Sequence, residues 1–301
     1  MSRTRSLLEL EHLSADEITS FLKLARRMQS GKPRPLLRGK RIALLFYEAS
    51  TRTRVSFEFA AKLLGTHTSV ISATASSIEK GESLLDTGKT LQALGSDCII
   101  VRHPSSGAPQ VLARNLQIPI INAGDGMHEH PSQALLDAYT ILRHQRSLKG
   151  LRITMVGDIQ HSRVVRSNVH LLSKFGAQIV LCGPPELLPE YATSLAPGVK
   201  VSRHIEEAAR KADVIMMLRV QKERLAGLRL DVDNYIAHYQ LTPERLKLAK
   251  SDAIVMHPGP MVRGMEIQSE VADGPQSVIE EQVHNGVYVR MAILATCLGV
   301  A

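Results

Sequence analysis

Along nearly the whole chain, short apolar runs alternate with amphipathic stretches of helical period. The runs in KRIALLFYEAS, THTSVISA, SDCIIVRHP and QIPIINAGDG read as strands. Between and around them, LSADEITSFLKLARRMQSG, SLLDTGKTLQALG and HPSQALLDAYTILRHQR read as helices. The first of these carries a capping box, Ser14 to Glu17, and a closing Gly31. From Lys149-Gly150 a second series begins. LRITMVGD, AQIVLCGP, DVIMMLRVQ and DAIVMHPGP read as strands, and SRVVRSNVHLLSKFG, IEEAARKA and TPERLKLAK as helices. A long closing helix, SVIEEQVHNGVYVRMAILATCLG, is weakened at Asn285-Gly286. Strands that alternate with helices must pair in parallel and be covered on both faces. The chain is therefore expected to be α/β, with two doubly wound domains, each a parallel sheet flanked by helices. The helix from about Pro131 to Arg146 is expected to link them.

Composition narrows the class of partner. The formal charge is +8, yet the basic residues are scattered, tryptophan is absent and aromatics are few. A charge of this size suits nucleic acid, an acidic surface or anionic small substrates, and the pattern lacks the basic stripe and stacking residues of the first. No apolar run is long enough for a bilayer and no signal-peptide-like stretch opens the chain, so no membrane association is expected. Cys98, Cys182 and Cys297 are far apart and lack zinc-like spacing, which suits a reducing cytoplasm.

In open α/β sheets, ligands bind beyond the carboxyl ends of the strands. Here those ends read EASTRTR, RHP, NAGDGMHEHPSQ, GDIQHSR, LRVQKER and HPGPMVRG, and they hold much of the Arg, His and Gln of the chain. The stretch ASTRTRVSFEFA, from Ala49, poses a problem. It reads as a Ser/Thr-capped helix with Val55, Phe59 and Leu63 on one apolar face. Yet Arg52 and Arg54 lie in its first turn, where the helix dipole disfavours cations by about 0.3–1 kcal/mol each. A bound phosphate resolves the conflict. Backbone N–H groups, the hydroxyls of Ser50, Thr51 and Thr53, and the Arg52 guanidinium would surround it. Arg54 is expected to face Glu58, four residues on. No GxxxxGK[ST] motif is present, and MVGDIQHSR has one glycine where a dinucleotide fingerprint needs three. His128, Glu129, His130 and His161 lack the spacing of a metal site, so neither metal nor cofactor is expected.

Taken together, STRTRVSFE, VRHP, HPSQALLD, VGDIQHSR, RVQKER and HPGPMVRGMEI resemble, in order and over nearly the whole chain, the aspartate/ornithine carbamoyltransferase family. RVQKER and HPGP resemble its aspartate-specific branch. The ornithine enzymes carry HCLP where this chain has HPGP. The resemblance implies transfer of a carbamoyl group from carbamoyl phosphate to L-aspartate, giving N-carbamoyl-L-aspartate and phosphate, an early step of pyrimidine synthesis. It implies a carbamoyl phosphate-binding domain of residues 1–135 plus a closing helix 277–301, and an L-aspartate-binding domain of residues 136–276. It assigns Ser50, Thr51, Arg52 and Thr53 to the phosphate. Thr53, Arg102 and His130 go to the carbonyl oxygen, where attack builds negative charge. Gln133 and the backbone carbonyls of Gly259 and Pro260 go to the carbamoyl NH₂. His130 is read as an oriented hydrogen-bond donor, and the leaving phosphate as the group that takes the amine proton.

The aspartate carboxylates fall by resemblance to Arg163 and Arg219, whose planar forks suit them. Gln221 positions the acceptor, and Glu48 and Arg224 brace these arginines when the domains close. SSIEKGES resembles a family lid that carries Ser76 and Lys80 into the active site of a neighbouring subunit. That sharing requires an oligomer, a closed homotrimer in the family. Met261 replaces the arginine of the best-known pattern and leaves the role of Arg263 open. The sequence also leaves open whether regulatory chains or a dihydroorotase bind. Two rival readings remain: a carbamoyltransferase with another amine acceptor, and an inactive scaffold of the same fold.

Overall fold

The computed structural model describes residues 5–31, 34–72, 81–220 and 231–300. The chain divides into two compact units, Met1–Leu136 with Val283–Ala301, and Asp137–Gln282. In the first, β1 (Arg41–Phe46), β2 (His67–Ser72), β3 (Cys98–His103) and β4 (Ile120–Asp125) form a sheet in the order β2-β1-β3-β4. Every pairing in it is parallel. Ala43, Leu45, Ile99, Val101, Leu112 and Ile120 build a core on one of its faces. Helices α1 (Ala15–Ser30), α2 (Thr51–Leu63), α3 (Leu84–Ala93) and α4 (Ala108–Asn115) complete this unit with the start of α5 (Pro131–His144) and most of α11 (Ile279–Cys297). The capping box of Ser14 and Glu17 and the closing Gly31 are in place on α1.

The second unit holds β5 (Arg152–Val156), β6 (Gln178–Cys182), β7 (Lys200–Ser202), β8 (Val214–Met217) and β9 (Ile254–Met256), in the order β7-β6-β5-β8-β9. These too are all parallel. The helices here are α6 (Arg163–Lys174), α7 (Ile205–Ala209), α8 (Val232–Tyr239), α9 (Pro243–Leu246) and α10 (Ser269–Ala272), with a 3₁₀ turn over Glu190–Leu195. Tyr235 of α8 is fully buried in the core with Val156, Ile215, Met217 and Val255.

Both sheets are doubly wound, as the alternation predicts. In each, the order reverses at an inner pair of strands, β1/β3 and β5/β8. Such a reversal opens a crevice beyond the strand ends. The motif-bearing loops leave from these pairs: EASTRTR after β1, RHP at the end of β3, GDIQHSR after β5 and LRV after β8.

The buried side of α2 is Thr53, Ser56, Phe57, Ala60 and Ala61. The face that carries Phe59 and Leu63 is the outer one: these two are 55% and 40% exposed. Phe57 fills the core between small residues, which let the helix lie close to its neighbours. One expectation about α2 is corrected. Glu58 does not face Arg54 but pairs with Lys62 at 2.6 Å, one turn toward the C-terminus. That direction, acid before base, also suits the dipole.

The weak point expected in α11 does not interrupt it. Asn285 is fully buried and accepts a bond from Gln29 Nε2 at 3.0 Å. A Cβ at Gly286 would lie 2.4 Å from Arg290 Nη1 and 3.2 Å from Leu136 Cδ2. The glycine is there for close approach.

Candidate active site

The first group of site residues gathers at the β1/β3 switch. Ser50 occupies the N-cap of α2 in extended conformation, but its hydroxyl makes no capping bond, and no acid lies in the first turn. The helix start therefore keeps its positive end and a hydroxyl that the helix does not use. Thr51 and Arg52 are exposed there, and Thr53 is buried. Thr53 Oγ1 meets His130 Nε2 at 3.4 Å, and Ser132 Oγ meets His130 Nδ1 at 3.4 Å. Arg102, at the end of β3, is half-buried, and its Nε stands 3.3 Å from Glu48 Oε2. Glu48 thus braces Arg102. Burial lowers the imidazole pKa of the adjacent His103, whose Nδ1 accepts the Ser105 N–H, and its ring lies 4.6 Å from that of Tyr47.

His130 is the residue just before α5, and its carbonyl accepts the Gln133 and Ala134 N–H groups at 2.9 and 3.3 Å. Gln133 is buried on the first turn. Two acids not foreseen in the sequence fix this approach. Asp125 accepts from Gly107 N–H at 2.7 Å, Asn122 Nδ2 at 2.8 Å and Glu129 N–H at 3.2 Å. Burial raises its carboxyl pKa, but the bonds from His128, Gly107 and Asn122 outweigh this and hold it below the usual range. The Glu129 carboxylate accepts the N–H groups of Leu10 and Glu11. The signal was the acid-rich stretch DGMHEH, which only a fold could connect to residues 10 and 11.

The second group belongs to the β5/β8 switch. Gly157 follows β5 at φ 133, and a Cβ there would stand 2.8 Å from the Leu218 carbonyl oxygen. Only glycine lets the two strand ends approach so closely. Arg219 follows directly and is half-buried. Arg163 is the first residue of α6 and is buried, behind Ser162, whose hydroxyl caps the helix at Val165 N–H. Asp158 holds the intervening loop by accepting His161 N–H and meeting His161 Nδ1 at 2.9 Å.

Gly259 and Pro260 follow β9 in a turn closed by a cis peptide bond. Arg263 makes a two-fold ion pair with Asp273, at 2.6 and 2.7 Å, on the surface. Its fork is occupied there. Ser76, Lys80, Gln221 and Arg224 lie outside the described residues. The three cysteines are buried. Burial pushes the Cys182 and Cys297 thiols up to about 12, and Cys98 well above its ordinary value, so none is poised as a nucleophile.

Comparison with known proteins also splits the chain in two, but it counts α11 with the second half, whereas most of that helix belongs to the first compact unit. The family model for the aspartate/ornithine carbamoyltransferase carbamoyl-P binding domain matches residues 5–143, and that for the Asp/Orn binding domain matches residues 149–297. The chain belongs to the aspartate/ornithine carbamoyltransferase family. Among its relatives, the aspartate carbamoyltransferase catalytic subunit of Koribacter versatilis is 63% identical over 296 residues, 98% of each chain. A Trypanosoma cruzi aspartate transcarbamoylase, solved with carbamoyl aspartate and phosphate, superposes with a TM-score of 0.87 at 34% identity, covering 98% of this chain and 96% of that one. Pyrococcus furiosus ornithine carbamoyltransferase gives a TM-score of 0.87 at 30% identity, covering 99% of this chain and 98% of that one. The backbone is thus common to both acceptor branches, and the sequence separates them.

Proposed function

We propose that this carbamoyltransferase passes the carbamoyl group of carbamoyl phosphate to the amine of L-aspartate, giving N-carbamoyl-L-aspartate and phosphate, and that the residues named above do the work. The observation that carries the reading is the start of α2. It is a cationic helix N-terminus with an unspent cap hydroxyl, and its Thr53 contacts His130. Ser50, Thr51, Arg52 and Thr53 hold the phosphate. Thr53, Arg102 and His130 donate to the carbonyl oxygen, which turns negative as the amine attacks. Hydroxyls face both ring nitrogens of His130, which suits an oriented donor rather than a base. The amine nitrogen bonds to the carbonyl carbon, the C–O bond to phosphate breaks, and the departing phosphate takes the amine proton.

Gln133 and the carbonyls of Gly259 and Pro260 accept the carbamoyl NH₂. Arg163 and Arg219 take the aspartate carboxylates, with Gln221 and Lys80 assisting, and Ser76 joins the phosphate. The working form is a homotrimer in which Ser76 and Lys80 come from a neighbouring copy. The buried free thiols fit a reducing cytoplasm, and the product fits pyrimidine synthesis.

An acceptor screen with carbamoyl phosphate tests the assignment. Turnover with L-aspartate should exceed that with L-ornithine by at least about a hundredfold, because the acceptor site is built for a second carboxylate. Equal turnover with ornithine would sink it.

A further inference from the structure

The turn after β9 is gripped by a carboxylate that the activity has so far not required. Glu266 and His257 are both fully buried, and His257 Nε2 meets Glu266 Oε1 at 3.1 Å. On the other side of the ring, His257 Nδ1 accepts the Gly259 N–H at 2.8 Å. That bond fixes the tautomer: Nδ1 carries the lone pair, so Nε2 carries the proton and donates it to Glu266. A carboxylate on one ring nitrogen makes the other a better acceptor. Glu266 Oε1 also takes the Val262 N–H at 2.6 Å. One oxygen therefore ties down both sides of the Gly259-Pro260-Met261 turn, through the imidazole on one side and directly on the other.

The strand end before the turn is held separately. The His257 N–H donates to Gln282 Oε1 at 3.1 Å, and Gln282 Nε2 donates to Asp137 Oδ1 at 2.6 Å. Asp137 Oδ2 accepts Asn168 Nδ2 at 2.8 Å. Burying two acids is costly unless their bonds do something an apolar core would not. Here Glu266 reaches the backbone on both sides of the turn whose carbonyls are assigned to the carbamoyl NH₂, and Asp137 reaches the strand end before it through Gln282.

We propose that Glu266 is a positioning residue for carbamoyl recognition: through His257 and the Val262 N–H it aims the Gly259 and Pro260 carbonyls, and so sets the preference of the enzyme for an NH₂ on the acyl phosphate. The inference rests on the role given to these carbonyls above. Glu266 touches no substrate. It acts by removing the freedom of the turn, so that two acceptors are already in place when the carbamoyl NH₂ arrives.

The test compares three ligands on the full chain by calorimetry: carbamoyl phosphate, acetyl phosphate, in which a methyl replaces the NH₂, and inorganic phosphate. The wild type should bind carbamoyl phosphate at least about tenfold more tightly than acetyl phosphate. In Glu266→Ala that preference should fall to about twofold or less. Acetyl phosphate and phosphate should stay within about twofold of wild type, since neither uses the turn carbonyls. Glu266→Gln keeps shape and an acceptor oxygen but loses the charge, so its preference should be intermediate. It decides the matter if the alanine chain does not fold. A merely structural role would weaken all three ligands together or none. Either result, in every variant that folds, overturns the inference. A wild type without the preference overturns the role of the carbonyls, and the inference with it.

Discussion

Arg52 occupies a poor place on α2 for a cation, and its neighbours explain why it stays. The first turn contains no acid and the Ser50 hydroxyl makes no capping bond, an arrangement that suits the proposed phosphate site. Arg52→Ala should lower kcat/KM by about 10²–10³-fold, with kcat falling as well as affinity, because the charge is needed most as phosphate leaves. The melting temperature of the unliganded protein should stay level or rise by up to about 2 °C, since a misplaced cation is removed. A clear fall would make Arg52 a structural residue. His128 shows the opposite arrangement. The bond it donates to Asp125 raises its imidazole pKa against burial, with Glu129 and Glu9 adding to the effect. A raised folded pKa stabilises below the ordinary value, near 6.5, and that contribution is lost as the pH climbs through the raised value. His128→Gln should therefore flatten the drop in melting temperature as the pH rises above the ordinary imidazole value, by about 1–2 °C in a pH series. An unchanged profile would remove His128 from the account.

At the level of elements, the strands were the most legible part, because runs such as RIALLF and RITMV are apolar on both faces only when a sheet is covered twice. Helix α4 was not legible: its start, SSGAPQ, looks like a turn, and the structure uses Gly107 in a left-handed conformation and Pro109 as its opening. Strand β7, with three residues, is too short to show a period. The outward face of α2 could not be foreseen either, since Val55, Phe59 and Leu63 satisfy a helical period whichever side is buried. Among site residues, the polar strand ends were visible as a cluster of Arg and His. The supports were not, because Asp125 and Glu129 act on backbone groups far away in sequence. Gly157 joins both kinds of feature. Gly157→Ala would press a Cβ on the Leu218 carbonyl at a backbone angle that alanine resists. The cost should be about 2–3 kcal/mol, seen in denaturant unfolding. Because Arg219 follows Leu218, the KM for aspartate should rise more than the Kd for carbamoyl phosphate. Equal effects on both would mean that the strand ends do not set the arginine.

For the whole molecule, the open question is whether one chain makes a complete site. Lys80 is assigned to a site whose Arg52 belongs to a neighbouring copy, and that claim predicts rescue between two inactive variants. Arg52→Ala and Lys80→Ala chains, mixed equally, unfolded and reassembled, would combine at random in a closed trimer. A complete site needs an intact Arg52 from one chain and an intact Lys80 from the next. Each condition is met with even odds, so about a quarter of the sites should be whole. Activity should then return to about that fraction of wild type, from a starting level near zero. If both residues came from the same chain, every site would lack one of them, and mixing would restore nothing. Mass measurement of the reassembled species shows that mixed trimers have formed, and the returning activity then separates the two cases. Mixed trimers with no returning activity would overturn the shared site, while a chain that stays monomeric and active would overturn the trimer itself.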